Sequence, residues 1–208
     1  MLHFESLKGD TLDILKGLMT IPDLSMLSLA GGTALALRYG HRTSYDLDLF
    51  SSSEFENKIV VQAINKKYPS YQVLNLNNKA GVFGFIDDIK LDIVRHHEFQ
   101  IIAPIEKIEN IRFLSDADIA AMKIFAILDR AKKKDFYDIS LLLDKYGLEK
   151  IINWYFKKYP DNQMLISVPT ALQYFVDAET DKDPEPLIGQ TWKEVKKNIS
   201  KHVNKFLK

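Results

Sequence analysis

The chain has 208 residues and contains no cysteine, which excludes disulfide bonds and thiolate metal sites. Hydrophobic residues make up 46% and charged residues 27% of the sequence, an ordinary balance for a globular protein of one large or two small domains. The formal net charge is zero, so the total charge gives no indication of nucleic-acid binding. No apolar stretch is long enough to span a bilayer and no secretory signal is recognisable, so we expect a cytoplasmic protein without membrane contact.

The first half of the chain is predicted to mix helices with strands. Helical periodicity covers residues 7–19, and a short helix of residues 33–39 is expected to end at Gly40, a typical left-handed cap. Another helix is expected over residues 55–68, with the serines of residues 51–53 offering an N-cap. Strands are predicted at residues 26–30, 45–50, 71–76, 81–86 and 90–95.

The second half is predicted to be helical. Ser115 and Asp118 form a capping-box pattern before the first of these helices, and the last helix is amphipathic and rich in lysine. The predicted helices cover residues 119–130, 135–146, 148–158, 169–176 and 191–207. We therefore predict an α+β fold in which a small mixed sheet with flanking helices, residues 1–112, precedes a helical domain, residues 113–208.

Two aspartates in one predicted strand are the first candidate catalytic residues. Side chains alternate along a strand, so Asp46 and Asp48 point to one face while the leucines beside them point to the other. A later strand carries Asp92 on its polar face, and if the two strands are neighbours, the three carboxylates converge. Three hard oxygen donors on strands suit magnesium, with Asp92 as the base or shared ligand for an attacking oxygen. The alternative is that all three line the polar face of a solvent-exposed strand.

A glycine pair before a short helix is the second candidate feature. Gly31 and Gly32 allow the backbone to approach phosphate oxygens, and the N–H groups at the start of the following helix favour an anion. Thr33 adds a hydroxyl donor, and Arg42 and Ser44 are further candidates for phosphate contact. The alternative for Arg42 is a solvated cation in a loop. The motif therefore predicts a binding site for a nucleoside triphosphate.

The helical half contributes a third group of candidates. Lys123, Arg130 and Lys134 lie on one face if their helix runs unbroken, and they either contact the triphosphate or form a solvent-exposed stripe. Lys123 interrupts a largely apolar helix, so it must extend to solvent or meet an anion. Asp135 is placed to cap its own helix, and Asp138 is placed to pair with Lys134 or to orient one of the other two cations.

The segment from Gly31 to Phe50 resembles the signature of the DNA polymerase β-like nucleotidyltransferase superfamily, a Gly-Gly or Gly-Ser turn followed by Asp-x-Asp. Where the superfamily often has serine after the glycine, this chain has Thr33, which keeps the hydroxyl. The longer string is similar to a narrower group, the AbiEii/AbiGii toxin family. The segment from Lys123 to Asp138 also resembles the helical region of that family.

The resemblance implies a minimal nucleotidyltransferase fold followed by a helical domain. It further implies a magnesium-dependent enzyme of a type IV toxin–antitoxin or abortive-infection system, which moves a nucleotide from a nucleoside triphosphate to an RNA, such as tRNA, or to a protein. A cognate antitoxin is the implied protein partner. Two alternatives stay open, namely a non-catalytic nucleotide-binding protein on the same scaffold, and a partner-binding module whose lysine-rich helix, residues 191–208, docks an acidic antitoxin or an RNA.

Overall fold

The computed structural model describes residues 1–96, 98–162 and 166–208. Its residues form two compact units, the first made of residues 1–99 and 104–114 and the second of residues 100–103 and 115–208. Strands occur in the first unit and helices dominate the second, so the predicted α+β class is confirmed. No helix within the described residues is long and apolar enough to cross a membrane.

The first unit contains a mixed sheet, which has seven strands in the described part of the chain and the order β3-β4-β5-β2-β1-β7-β6. Its strands are β1 Leu27–Leu29, β2 Leu47–Ser51, β3 Gln72–Val73, β4 Gly81–Ile86, β5 Ile89–Arg95, β6 Glu106–Ile108 and β7 Ile111–Phe113. The β2/β5 and β1/β7 pairs are parallel and the other pairs are antiparallel. The hairpin of β6 and β7 was not predicted, because three-residue strands show too little alternation to be recognised.

The helices of the first unit are α1 Thr11–Met19, α2 Gly31–Tyr39 and α3 Asn57–Lys67. The predicted start of α1 at residue 7 is wrong, because Leu7 instead forms a parallel bridge with Ser44 and Gly9 turns the chain with φ +57°. The predicted serine cap of α3 is also wrong, since Glu56 is the N-cap residue and makes no side-chain cap hydrogen bond.

Alternating burial fixes the register of the central strands. In β2 and β5 the apolar side chains of Leu47, Leu49, Leu91 and Ile93 are at most 1% exposed, whereas the residues between them are only partly buried. Burying such a side chain contributes about 1.5–3 kcal/mol relative to leaving it exposed. A slip of one residue in β2 or β5 would move Asp48, Lys90 or Asp92 into these buried positions. The buried side chains therefore fix the face of each strand on which its aspartate lies.

The second unit is built from α4 Asp116–Asp129, α5 Lys133–Tyr146, α6 Leu148–Lys158, α7 Val168–Gln173 and α8 Trp192–Phe206. Ser115 is the N-cap of α4 as predicted, because its hydroxyl accepts a hydrogen bond from Asp118 N at 3.1 Å, but the Asp118 carboxylate accepts from the Ser115 hydroxyl instead of completing the capping box. The predicted separation into two helices is confirmed, so the condition under which Lys123, Arg130 and Lys134 would share one helix face is not met. Ala131 adopts φ +45° and separates α4 from α5, so this stretch of the chain forms two helices.

A buried ion pair ties a short segment of the chain to the second unit. Lys158 Nζ lies 2.6 Å from Asp118 Oδ1, and both side chains are 0% exposed. The same ammonium donates to Gln100 O at 3.0 Å, and Ile102 N donates to Asp118 Oδ1 at 3.0 Å. Burial lowers the pKa of Lys158, and Asp118 opposes that shift. These bonds explain why residues 100–103 belong to the second unit although the following residues return to the first.

Candidate active site

The acidic faces of β2 and β5 meet in the sheet. The two strands are parallel neighbours, and Asp48 is the register partner of Asp92. Neighbouring strands lie about 4.8 Å apart and register partners point to the same face, so these carboxylates are side by side. Asp46 lies one residue before β2 and is partly buried. The adjacency of the strands is the condition under which the sequence predicts converging carboxylates.

The two oxygens of the Asp92 carboxylate have different environments. The Lys90 ammonium, on the same face of β5, pairs with Asp92 Oδ2. The other oxygen, Asp92 Oδ1, is buried and has no hydrogen-bond partner among the described residues. Side chains alternate along a strand, so Lys90 lies on the same polar face of β5 as Asp92. This two-residue period is the signal by which the sequence indicates that the lysine is near the carboxylate.

Tyr71 is a residue that sequence reasoning missed. Its side chain is buried, and its hydroxyl has no hydrogen-bond partner among the described residues. Burial and, to a smaller extent, the negative charge of Asp92 raise the pKa of the Tyr71 hydroxyl. The Tyr71 hydroxyl therefore stays protonated. No local pattern could have indicated this, because the influence of Asp92 on Tyr71 arises only through the folding of the sheet.

Gly31 fixes the position of Asp48. It is the first residue of α2, has φ +66°, and a β-carbon there would lie 2.6 Å from Asp48 Oδ2. The preceding residue, Ala30, donates its N–H to Asp48 O at 2.9 Å. Only glycine combines this backbone conformation with so close an approach. The turn therefore places the Asp48 carboxylate against the N-terminus of α2, where the helix dipole favours negative charge.

Replacing Gly31 by alanine is expected to reduce the nucleotide transfer that the resemblance implies by about 10²-fold, because the new methyl group displaces the Asp48 carboxylate. The measurement is the initial rate of transfer of a labelled nucleotide. Gly9→Ala is the matched control, since Gly9 also has positive φ but no atom within 4 Å of its β-carbon position. Both variants carry a backbone penalty of about 1–2 kcal/mol. Equal rates for the two variants would contradict the positioning role of Gly31.

Thr33 and Ser44 hold the loop that precedes Asp46. The two hydroxyl oxygens are 2.8 Å apart, and the Thr33 hydroxyl also donates to Asp46 O. Both residues are buried, and Ser44 N donates to Ser6 O at 2.9 Å. In this structure Thr33 therefore links α2 to the start of β2. Its predicted phosphate contact stays a prediction.

Arg42 is not the solvated cation of the alternative interpretation. The residue is 3% exposed, and its Nη1 donates to Thr43 O at 2.9 Å. A guanidinium at this depth is held in place, in contrast to one on a mobile side chain at the surface. That interpretation is therefore wrong, and the phosphate contact of Arg42 stays a prediction.

The second unit contains a compact ion cluster. Lys123 Nζ lies 2.8 Å from Asp135 Oδ1 and 2.6 Å from Asp138 Oδ2, and all three side chains are at least 93% buried. In this structure the anions that Lys123 contacts are therefore the carboxylates of Asp135 and Asp138. Asp135 does not cap its helix as predicted, because its carboxylate reaches Lys123 and Arg130. Asp138 orients Lys123, one of its two predicted roles.

The remaining predicted cations of this unit lie at the surface. Arg130 Nε is 3.3 Å from Asp135 Oδ2, with about half of the side chain exposed. Lys134 is exposed in the first turn of α5. Burial favours the neutral form of Asp135, but the charges of Lys123 and Arg130 more than offset it and lower the pKa of that carboxyl. The cluster thus holds a charged carboxylate in the core of the unit.

Comparison with known proteins identifies the family of the chain. Residues 13–206 match the sequence model of the nucleotidyl transferase AbiEii toxin of a type IV toxin–antitoxin system. The chain belongs to the AbiEii family. The uncharacterized protein aq_aa25 of Aquifex aeolicus is 33% identical over 212 residues, covering 97% of this chain and 98% of the relative.

Solved structures show the same fold as this AbiEii family member. A candidate nucleotidyltransferase from Helicobacter pylori superposes with a TM-score of 0.57 at 20% identity, covering 95% of this chain and 94% of the other. MenT4, a nucleotidyltransferase toxin from Mycobacterium tuberculosis, superposes with a TM-score of 0.53 at 14% identity, covering 95% and 86%. The predicted family and enzyme class are confirmed. The chain is a nucleotidyltransferase of a toxin–antitoxin system, which implies a nucleotide substrate and an antitoxin partner.

Nucleotidyltransferases of the wider superfamily generally use divalent metal ions. Within the described ranges, no group of three or more His, Cys, Asp or Glu side chains is arranged to hold a metal. The pair Asp48 and Asp92 nevertheless fits a hard cation, because both are oxygen donors on rigid strands and Asp92 Oδ1 is a buried acceptor without a partner among the residues described. Magnesium is commonly bound by one or two carboxylates together with substrate phosphates, so a complete protein cage is not required.

Proposed function

We propose that this AbiEii family member is a magnesium-dependent nucleotidyltransferase that moves a nucleotide from a nucleoside triphosphate to an RNA, with tRNA as the first acceptor to test. The observation that supports the proposal most directly is the register of Asp48 with Asp92 beside the glycine N-terminus of α2. It joins paired carboxylates to a helix start that favours phosphate. Register partners such as Asp48 and Asp92 are common in sheets, so it is their position beside the glycine turn that supports the proposal.

Asp46, Asp48 and Asp92 are the proposed holders of the cation. When bound, magnesium supplies positive charge that neutralises the triphosphate and the departing pyrophosphate. Asp48 is held by Gly31, and Asp92 is held by its strand, so two of the three groups are positioned before substrate arrives. Lys90 keeps the Asp92 carboxylate neutralised in this structure and would have to release Oδ2 for that carboxylate to act.

The proposed transfer is a single displacement at the α-phosphorus. Asp92 accepts the proton of the acceptor hydroxyl, the hydroxyl oxygen forms a bond to the α-phosphorus, and the bond to the bridging oxygen breaks so that pyrophosphate leaves. Gly31, Gly32 and the first N–H groups of α2 contact the phosphates, with Thr33, Ser44 and Arg42 behind them. Catalysis then depends on positioning and on charge neutralisation.

The residues of the second unit stay predictions as nucleotide contacts. Lys123 and Asp138 are engaged with each other in the core, so we propose that their first role is to hold α4 against α5. Arg130 and Lys134 are at the surface, where a phosphate can reach them. The contribution of Lys134 can be tested at an exposed position, whereas Arg130 also pairs with Asp135 of the Lys123 cluster.

The test is incubation of the protein with each α-labelled nucleoside triphosphate, magnesium, and either total RNA or total protein. We expect label in RNA, with equimolar pyrophosphate release and loss of both signals when a chelator is added. Label in protein alone would refute the RNA acceptor. Nucleotide binding by calorimetry with no pyrophosphate release would instead support the non-catalytic alternative.

A further inference from the structure

The outer face of α8 presents a regular row of lysines. Lys193, Lys197, Lys201 and Lys205 are all exposed and follow one another at intervals of four residues. Each interval advances about 6 Å along a helix and turns only about 40° around it, so the row forms a shallow spiral about 18 Å long. The opposite face carries Val195, Ile199 and Val203, all 0% exposed, and anchors the helix to its unit.

These four lysines, which we call the α8 lysine row, differ in their partners from the other polar residues of α8. Within the described ranges none makes a hydrogen bond or an ion pair, and Lys197 has only an electrostatic interaction with Glu194. Polar residues on the flanks of the helix behave differently. Lys196 Nζ lies 2.6 Å from Glu179 Oε1, and His202 Nε2 lies 2.9 Å from Asp144 Oδ1. The flanking residues are therefore ion-paired within the described part of the chain, whereas the α8 lysine row has only the interaction of Lys197 with Glu194.

The row concentrates positive charge in a chain with zero net charge. Helix α8 contains five lysines and one glutamate. That glutamate, Glu194, is committed to the capping box, where its carboxylate accepts from Thr191 N at 2.8 Å. Like charges repeated at four-residue intervals repel one another along a helix, which is unfavourable unless an anion relieves the repulsion. An extended polyanion matches such a row better than a single small anion does.

We propose that the α8 lysine row binds the sugar–phosphate backbone of an RNA. Protein interfaces have cores enriched in aromatic residues and depleted of lysine, whereas phosphate contacts are made by point charges such as lysine. Between its lysines the outer face of α8 carries polar or charged residues, namely Glu194, Ser200 and Asn204, and no apolar residue. Its chemistry therefore favours a nucleic-acid backbone over an acidic protein. The inference deepens the proposed function, on which its choice of RNA rests.

The test is the salt dependence of RNA binding by the full chain, measured by fluorescence anisotropy with labelled total tRNA. Loss of each phosphate contact is expected to reduce the slope of log K against log salt concentration by about 0.7–0.9. The quadruple variant K193Q/K197Q/K201Q/K205Q should therefore show a slope about 3 smaller and an affinity at least ~10-fold lower at low salt. Circular dichroism checks that α8 and the fold are retained.

Two matched controls isolate the position of the charges from their number. K58Q/K66Q/K79Q/K107Q removes four exposed lysines elsewhere and should keep the parental slope. K193R/K197R/K201R/K205R keeps the charge of the row and should keep most of the affinity. An unchanged slope in the variant that removes the row, or no RNA binding by the parent, overturns the inference, and in the former case an acidic protein becomes the favoured occupant. Nucleotide transfer is assayed separately. If the parent transfers no nucleotide but removal of the row still changes the salt slope, the proposed function is refuted and the RNA-binding surface is retained.

Discussion

Replacing Asp48 by asparagine is expected to reduce nucleotide transfer by at least about 10³-fold, while the free energy of unfolding changes little. The substitution keeps the shape of a side chain that lies beside Asp92 and against Gly31, but it removes the negative charge. Removing one preorganised electrostatic partner from an active site costs about 10²–10³-fold, and loss of a metal ligand adds to that cost. The measurement is the rate of label transfer at saturating magnesium.

Asp88→Asn is the control for this prediction. Asp88 is exposed in the turn between β4 and β5, so the same chemical change is made in the same unit away from the carboxylate pair. It should retain the parental rate. Asp46→Asn and Asp92→Asn are expected to lose transfer as Asp48→Asn does. If Asp48→Asn transfers nucleotide as fast as Asp88→Asn, the proposed mechanism is wrong.

Replacing Lys123 by methionine is expected to lower the free energy of unfolding at pH 7 by about 3–5 kcal/mol. Lys123 is the shared partner of Asp135 and Asp138, whose side chains are 0% exposed. Methionine fills the space but leaves two buried carboxylates facing each other without their shared cation. The measurement is denaturant unfolding at equilibrium. Lys134→Met, at an exposed position of the same segment, should change stability by less than about 1 kcal/mol.

The pH dependence distinguishes this cause from a simple packing defect. In the parent the pKa of Asp135 is below its usual value, so the unfolded state binds more protons in acid and stability falls as pH drops below about 4. In Lys123→Met the buried carboxylates have raised pKa values, so the folded state binds more protons and stability should increase as pH falls from 7 towards 5.

A rescue variant completes the Lys123 experiment. K123M/D135N/D138N removes all three charges, and replacing a whole buried ionic group is often neutral, so most of the lost stability should return. If the triple variant is as unstable as Lys123→Met, unpaired charge is not the cause. Transfer activity of the triple variant then reports whether Lys123 also acts on the nucleotide, because stability no longer obscures the result.

Local patterns predicted much of the first unit because their causes are local. The alternation of β2 and β5 follows from a two-residue period, and this period alone assigns Asp48, Lys90 and Asp92 to polar faces. The predicted start of α1 failed for the opposite reason, since Leu7 is drawn into a bridge with Ser44, 37 residues away in the chain. Tertiary contacts override propensity wherever a long-range partner competes.

The sequence by itself determined the class of the fold, the family through its glycine and aspartate motif, and the polar strand faces on which Asp48 and Asp92 lie, because side-chain chemistry and strand periodicity are properties of short segments. Only the tertiary structure decided that Asp48 is the register partner of Asp92 and that Lys123 is paired with Asp135 and Asp138. Strand order and the break at Ala131 set these partnerships. Both depend on which distant surfaces bury the most apolar area together, and no local pattern carries that information.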